Sequence, residues 1–196
     1  MSIVDAYLTG LRKALPPAQL RDLSVATGAS PQQLEALRTA YPQCPAGLLA
    51  LLGQVDGTWW RAYGKTKIAV LVLGSDVFEY PYYLMSTEQM LEEGRSRRKS
   101  IAKIYGEYLD DDPELVDPRI DPEVPLGDRL CFSQCMNNGG TSVLYIDFTP
   151  ASGGVSGQVV RFLHDPDSYA VIADSFDAYL QSLIDGGFSF VHEDDE

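Results

Sequence analysis

Cys131 and Cys135 stand at C-x3-C spacing, with "FSQ" between them. A structural zinc site takes four ligands, as a rule from two such pairs. The residues that could complete this one, Cys44, His164 and His192, stand at no motif spacing. The same lack of a spaced histidine argues against a thiol nucleophile. His164-Asp165 could set a general base beside a carboxylate, with Asp147 on a facing strand as a third member. The competing reading of "HDPDS" is a proline-containing turn after a strand. No GxSxG, HExxH or paired-carboxylate signature accompanies these residues. The expectation is a chain with no catalytic, cofactor-binding or metal-binding residues.

The stretch "NNGGTSVLYIDF", residues 137–148, sets two asparagines and two glycines before an alternating apolar run. A phosphate loop needs a strand, then glycines, then a helix whose first amides face the phosphate. Here Gly139 and Gly140 precede a strand, no helix follows, and a Walker lysine is lacking. Asn-Gly with alternating flanks is a hairpin signal, because both residues tolerate positive φ. The stretch reads as a turn into a central strand. Aromatic residues gather elsewhere: Trp59, Trp60 and Tyr63, then Tyr80, Tyr82 and Tyr83. Most are expected in the core or on a sheet face. An exposed one is an interface candidate, since aromatics dominate binding hot spots.

The elements that must position these residues follow from periodicity. Apolar residues at three- and four-residue spacing predict a helix over the first fifteen positions. "PPAQLRDLSVATGAS", "SPQQLEALRTAY" and "PAGLLALLGQVDG" read as further helices, the second capped by Ser30 and the last ending near Gly53 before an Asp56-Gly57 turn. From residue 58 the pattern changes. "TWWRAYG", "KIAVLVLG" and "VFEYPYYLM" predict three strands, with Pro81 marking the third as an edge strand or an interrupted one. "STEQMLEEGRSRRKSIAKIY" predicts one long helix opened by Ser86 and Gln89. "DRLCFSQC", "SVLYIDF" and "GQVVRFL" are strands again, the last two antiparallel neighbours across a nine-residue loop. "DSFDAYLQSLIDGG" is the clearest helix, capped by Asp174 or Ser175 and stopped by Gly186.

Residues 107–128 differ from their surroundings: nine acidic residues, four prolines and one arginine give a net charge of −8. They read as a loop or excursion outside the core, able to pair with the preceding Arg95, Arg97, Arg98 and Lys99. The whole chain has 196 residues, 28 acidic against 15 basic, for a formal charge of −13. That disfavours nucleic acid, whose phosphates are held by Lys and Arg. It suits a basic protein partner. The longest apolar run, "IAVLVLG", is too short for a membrane helix, and the N-terminus lacks a signal-peptide pattern. With three cysteines, an odd number, the expectation is a cytoplasmic protein. Segregated runs of helices and strands predict an α+β fold: one domain, an antiparallel or mixed sheet of five to six strands, helices packed at the N-terminus, a long middle helix and a C-terminal helix.

The order of motifs resembles the SUKH superfamily, which comprises the Smi/Knr-type cell-wall regulators and many bacterial immunity proteins. Cys44-Pro45, the apolar helix with Leu48, Leu49 and Leu52, and Asp56-Gly57 are similar to its Leu-Pro, helix and Asn-Gly. "LCFSQCMNNGGTSVLYIDF" resembles its phenylalanine strand, glycine turn and strand ending in Asp, here Asp147. "GQVVRFL" resembles its Gly-x-Val strand, and Ser175, Phe176 and Leu180 its closing helix. The likeness covers roughly residues 30–185, with 1–29 as an N-terminal helical extension, 95–128 as a long basic-then-acidic insertion and 192–196 as an acidic tail. The resemblance implies a non-enzymatic protein-binding module, immunity-like, that covers a toxin domain. The alternatives are a regulatory scaffold with a housekeeping partner and a small-ligand enzyme using His164, Asp165 and Asp147. Contact candidates are Trp60, Tyr63, Asp110, Asp111, Asp112 and Glu114; Pro45, Asp56, Gly57, Gly139, Gly140, Asp147, Ser175 and Phe176 are assigned to the fold. Self-association is left open, with no homo-oligomer predicted.

Overall fold

Ser2, Ser30 and Ser86 open helices in the same way. Each serine Oγ accepts the backbone N–H three residues on, and that residue's side chain (Asp5, Gln33 or Gln89) accepts the serine N–H. These boxes start α1 (Ile3–Ala14), α3 (Pro31–Ala40) and α5 (Thr87–Ser96). Proline at the first position opens α2 (Pro17–Ser24), and Pro45 precedes α4 (Ala46–Leu52). Residues 2–137 and 140–192 are described in the computed structural model of this chain. Gly139 and the last four residues of the acidic tail lie outside the described residues.

The architecture is α+β, with an entirely antiparallel main sheet. Its order is β3 (Leu71–Leu73), β4 (Tyr82–Leu84), β6 (Ser133–Asn137), β7 (Gly140–Asp147), β8 (Gln158–Leu163) and β9 (Ser168–Ala173). The short β5 (Leu130–Cys131) also pairs with β7 and continues the line of β6. Between β5 and β6, Phe132 keeps the line joined: its N–H bonds Leu144 O and its carbonyl accepts from Met85 N. Asn137 faces Gly140 across the β6–β7 pair, and Gly140 opens a central strand; the turn expected at Asn138 and Gly139 lies outside the described residues.

Several sequence expectations change in detail. "TWWRAYG" supplies only β1 (Arg61–Tyr63), which pairs with β2 (Thr66–Ile68) as a separate two-stranded hairpin. β2 and β3 split what reads as one strand, because the Val70 N–H turns to the carbonyl of Thr58. β4 is not an edge strand: Pro81 sits just before it, leaving its N–H groups free to pair on both sides. β9, in "SYAVIA", is an added strand with no sequence expectation behind it. The single long middle helix breaks after Ser96. Ser100 caps a new helix, α6 (Ile101–Tyr105), by accepting from Lys103 N, and α7 (Tyr108–Asp111) follows.

The acidic segment is not outside the core. Leu115, Ile120 and Leu126 are buried, and the segment forms a strap along the outer edge of β9. Tyr169 N–H bonds Leu115 O at 2.7 Å, Asp117 N–H bonds Tyr169 O at 2.9 Å, and Arg119 Nη2 donates to Val171 O. This covers a strand edge that would otherwise offer unpaired backbone groups to other chains. A 3₁₀ turn (Leu126–Asp128) returns the strap to the sheet. Among the described residues no ion pair joins the strap to the basic residues before it: Arg97 pairs with Glu93, one turn back, and Arg119 with Asp117 inside the strap.

α8 (Phe176–Asp185) closes the core, with Ser175 Oγ, rather than Asp174, accepting from Ala178 N. Phe176, Phe132 and Tyr179 cluster with ring centroids 5.5–6.0 Å apart. α1 packs against α8 and α4, burying Val4, Tyr7, Leu8 and Leu11. Its Tyr7 hydroxyl donates to Val72 O, while Tyr179 donates to Gly74 O, so both helices are tied to the backbone around β3.

Candidate protein interface

The first candidate surface is built on Asp56. This carboxylate is buried, with one oxygen accepting the Thr87 N–H at the start of α5 and the other Arg61 Nη2, each at 2.8 Å. Arg61 also lies 3.5 Å from Glu88. Gly57 follows at φ +90°, so close to Ser86 that a Cβ would fall 2.6 Å from its nitrogen. Tyr63 is therefore held inward, its hydroxyl donating to Gly57 O at 2.8 Å, and burial pushes it up to about 12. Trp60 is turned outward. It is 60% exposed, in the left-handed region at φ +50°, with Lys67 Nζ 5.4 Å from its ring centroid. Of the two aromatic contact candidates, the structure exposes Trp60 and gives Tyr63 to the framework of the hairpin.

The second surface is the strap. Asp110 and Asp111 lie on α7, Asp112 caps its end, and Asp112, Glu114 and Glu107 are exposed with them. None of these carboxylates meets a cation among the described residues. Tyr108, on the same turn, is 74% exposed, and Ile104 beside it on α6 is 46% exposed. Sequence reasoning passed over both, although a lone tyrosine inside "GEYLDDD" was a visible signal. The strap's anchorage is firm. Tyr105 donates to Asp167 Oδ2 at 2.5 Å, and Arg129 donates to the carbonyls of Asp121 and Val124 at 2.7 and 2.9 Å.

Of the residues considered for catalysis, Asp147 lies apart from the adjacent His164 and Asp165. Asp147 pairs in register with Gln158 at one end of the β7–β8 pair. His164 follows β8 at the other end, six residues on, or about 20 Å along the strand. Asp147 is sealed in the interior, accepting from Gln158 Nε2 and Thr149 N and lying 3.3 Å from Arg129 Nε. His164 Nδ1 instead meets Asp167, 3.0 Å away and three residues on, a partner that sequence reasoning missed. The third member is thus replaced by a Tyr105–Asp167–His164 chain joining α6 to the β8–β9 turn. Gly140 lies under His164, where a Cβ would fall 2.0 Å from the ring.

Of the thiols, Cys44 is half-buried and Cys131 and Cys135 are buried. Burial pushes Cys44 and Cys131 up to about 12 and Cys135 up to about 11, far from the thiolate form. Cys131 points at Met85 Sδ and Ser133 O. Among the described residues no group of three or more His, Cys, Asp and Glu could hold a metal ion, and no helix is long and apolar enough to cross a membrane.

Of the residues assigned to the fold, Pro45 precedes α4, Asp56 bonds the start of α5, Gly140 opens β7, Asp147 ends it, and Ser175 and Phe176 open α8. A search of curated proteins finds no match to the chain. The profile of the SMI1 / KNR4 family (SUKH-1) matches residues 28–182, which takes in every strand and all helices from α3 to the greater part of α8. The chain belongs to the SMI1 / KNR4 family (SUKH-1).

Proposed function

We propose that this chain is a protein-binding module, acting in the cytoplasm and without catalysis of its own, that neutralises a basic toxin domain by direct contact. Tyr108 carries the reading: a ring 74% exposed to water, on an anchored strap, with exposed Glu107, Asp110, Asp111 and Asp112 beside it in the chain. An aromatic anchor inside a charged rim is the anatomy of an interaction hot spot. The rim's sign selects a basic partner and speeds the encounter. Membership of a family that includes immunity proteins supports the same reading, and Trp60 on its hairpin offers a second aromatic contact.

The test is affinity capture with the full chain from native lysate, followed by co-expression of the captured protein. The expected result is a basic protein held near stoichiometrically, toxic when expressed alone and tolerated when co-expressed. Capture is lost in the Tyr108→Ala variant carrying Asp110→Asn and Asp111→Asn. A non-toxic housekeeping protein captured through the same residues overturns neutralisation in favour of a regulatory scaffold.

A further inference from the structure

A groove on another part of the surface shares no lining residue with the strap's own hollow. It lies between the end of α3, the last turn of α5, the 3₁₀ turn and the residue after β7, and encloses about 480 Å³. Tyr41, Pro42, Leu91 and Phe148 give it apolar walls, and the exposed Arg95 and Arg98 line it as well. The Tyr41 and Phe148 rings are 6.1 Å apart.

We infer that this groove binds an extended acidic segment of a partner protein, seating an apolar side chain against the paired rings of Tyr41 and Phe148 and its carboxylates on Arg95 and Arg98. The groove is held open by close packing beneath it. Tyr41 donates to Gly127 O at 3.0 Å, and a Cβ at Gly94 would fall 2.0 Å from the Tyr41 hydroxyl. At Gly127 a Cβ would fall 2.3 Å from Gly94 O, so both glycines let α5 and the 3₁₀ turn meet. Its volume lies in the range of pockets that enclose a side chain or small ligand.

Charge names the occupant. The chain carries 28 acidic residues, yet neither Arg95 nor Arg98 pairs with any of them among the described residues. Guanidinium groups bind carboxylates in paired hydrogen bonds, and the two here stand free to do so. Asp128 lies among the lining residues too, so the carboxylates of an occupant belong on the arginine side. Two arginines on a chain of net charge −13 are too few for nucleic acid. This inference does not rest on the toxin partner.

The experiment is selection of a random peptide display library on the full chain, followed by fluorescence anisotropy of the enriched peptides. The expected result is enrichment of acidic peptides bearing one apolar residue, bound about tenfold or more weakly by the Arg95→Glu/Arg98→Glu variant. Both arginines are exposed, so the variant keeps its fold, to be checked by circular dichroism. Failure to enrich acidic peptides, or equal binding by the variant, overturns the inference. So does full competition by inorganic phosphate at matched ionic strength, which marks a simple anion site. A concentration-dependent dimer in sedimentation that the variant abolishes also overturns it, since the occupant is then a second copy.

Discussion

Arg129 Nε lies 3.3 Å from an Asp147 carboxylate oxygen, with both side chains sealed from water. The two come from opposite sides of one question, how an acidic, proline-rich strap is held to a hydrophobic sheet. Asp147 ends β7, and Arg129 spends its remaining nitrogens on the strap carbonyls of Asp121 and Val124. Removing one member leaves the other charge buried, which costs about 3–5 kcal/mol, whereas replacing both by apolar groups of similar volume costs far less. Urea denaturation should therefore show Asp147→Asn and Arg129→Met each strongly destabilised. The double variant Arg129→Met/Asp147→Leu should recover part of the loss, since the strap carbonyls of Asp121 and Val124 still lose their donor. Additive losses in the double variant would show that the pair is no staple.

The Asp56-Gly57 turn is expected to tolerate nothing larger. At Gly57 a side chain meets both the wrong φ, +90°, and the backbone of Ser86 at 2.6 Å. At Gly64 the φ is also positive, +61°, but a Cβ meets nothing within 4 Å. Gly64→Ala should cost about 1 kcal/mol, the conformational penalty alone. Gly57→Ala should cost clearly more, because the start of α5 must shift as well. Equal urea midpoints for the two variants would remove the packing argument.

Stability should fall on the alkaline side. Burial raises Cys44 and Cys131 to about 12 and Cys135 to about 11, against about 8.5 for an unfolded thiol. Above that pH the unfolded chain releases protons that the folded chain keeps. The stabilisation is complete below about pH 8.5 and declines as pH rises toward 11, by up to about 1.4 kcal/mol per pH unit for each thiol. Serine in place of all three cysteines should flatten the fall in urea midpoint between about pH 8.5 and 10. The slope is the readout, whatever offset the substitutions bring. An unchanged slope would sink this account.

How far the sequence could be read depended on whether a signal was local. The caps at Ser30, Ser86 and Ser175 are local, and the structure keeps each of them, whereas β7, read as alternating, is buried on both faces from Ser142 to Asp147. Leu115, Ile120 and Leu126 are spaced five and six apart, matching neither a strand nor a helix, so the strap's burial left no period to detect. The break between α5 and α6 lacks proline or glycine; its one sign was Ser100, a second N-cap hidden in "RRKSIAK". The outward turn of Trp60 was illegible for another reason. It depends on Arg61 reaching Asp56, which anchors the hairpin on a carboxylate already committed to α5.

The strap's charge and its aromatic ring should separate kinetically. Asp110, Asp111 and Asp112 are exposed, and screened charges of this kind act mainly before contact, by guiding approach. Neutralising all three to asparagine should slow association with a basic partner by about tenfold at low salt and flatten its dependence on ionic strength, with little change in dissociation. Tyr108 acts only after contact, when its ring leaves water, so Tyr108→Ala should speed dissociation and leave association nearly unchanged. Stopped-flow mixing across a salt series, with both variants against one partner, reads the two effects apart. If the asparagine variant associates as fast as the parent at low salt, the acidic rim does not steer. The exposed ring would then have to account for recognition without it.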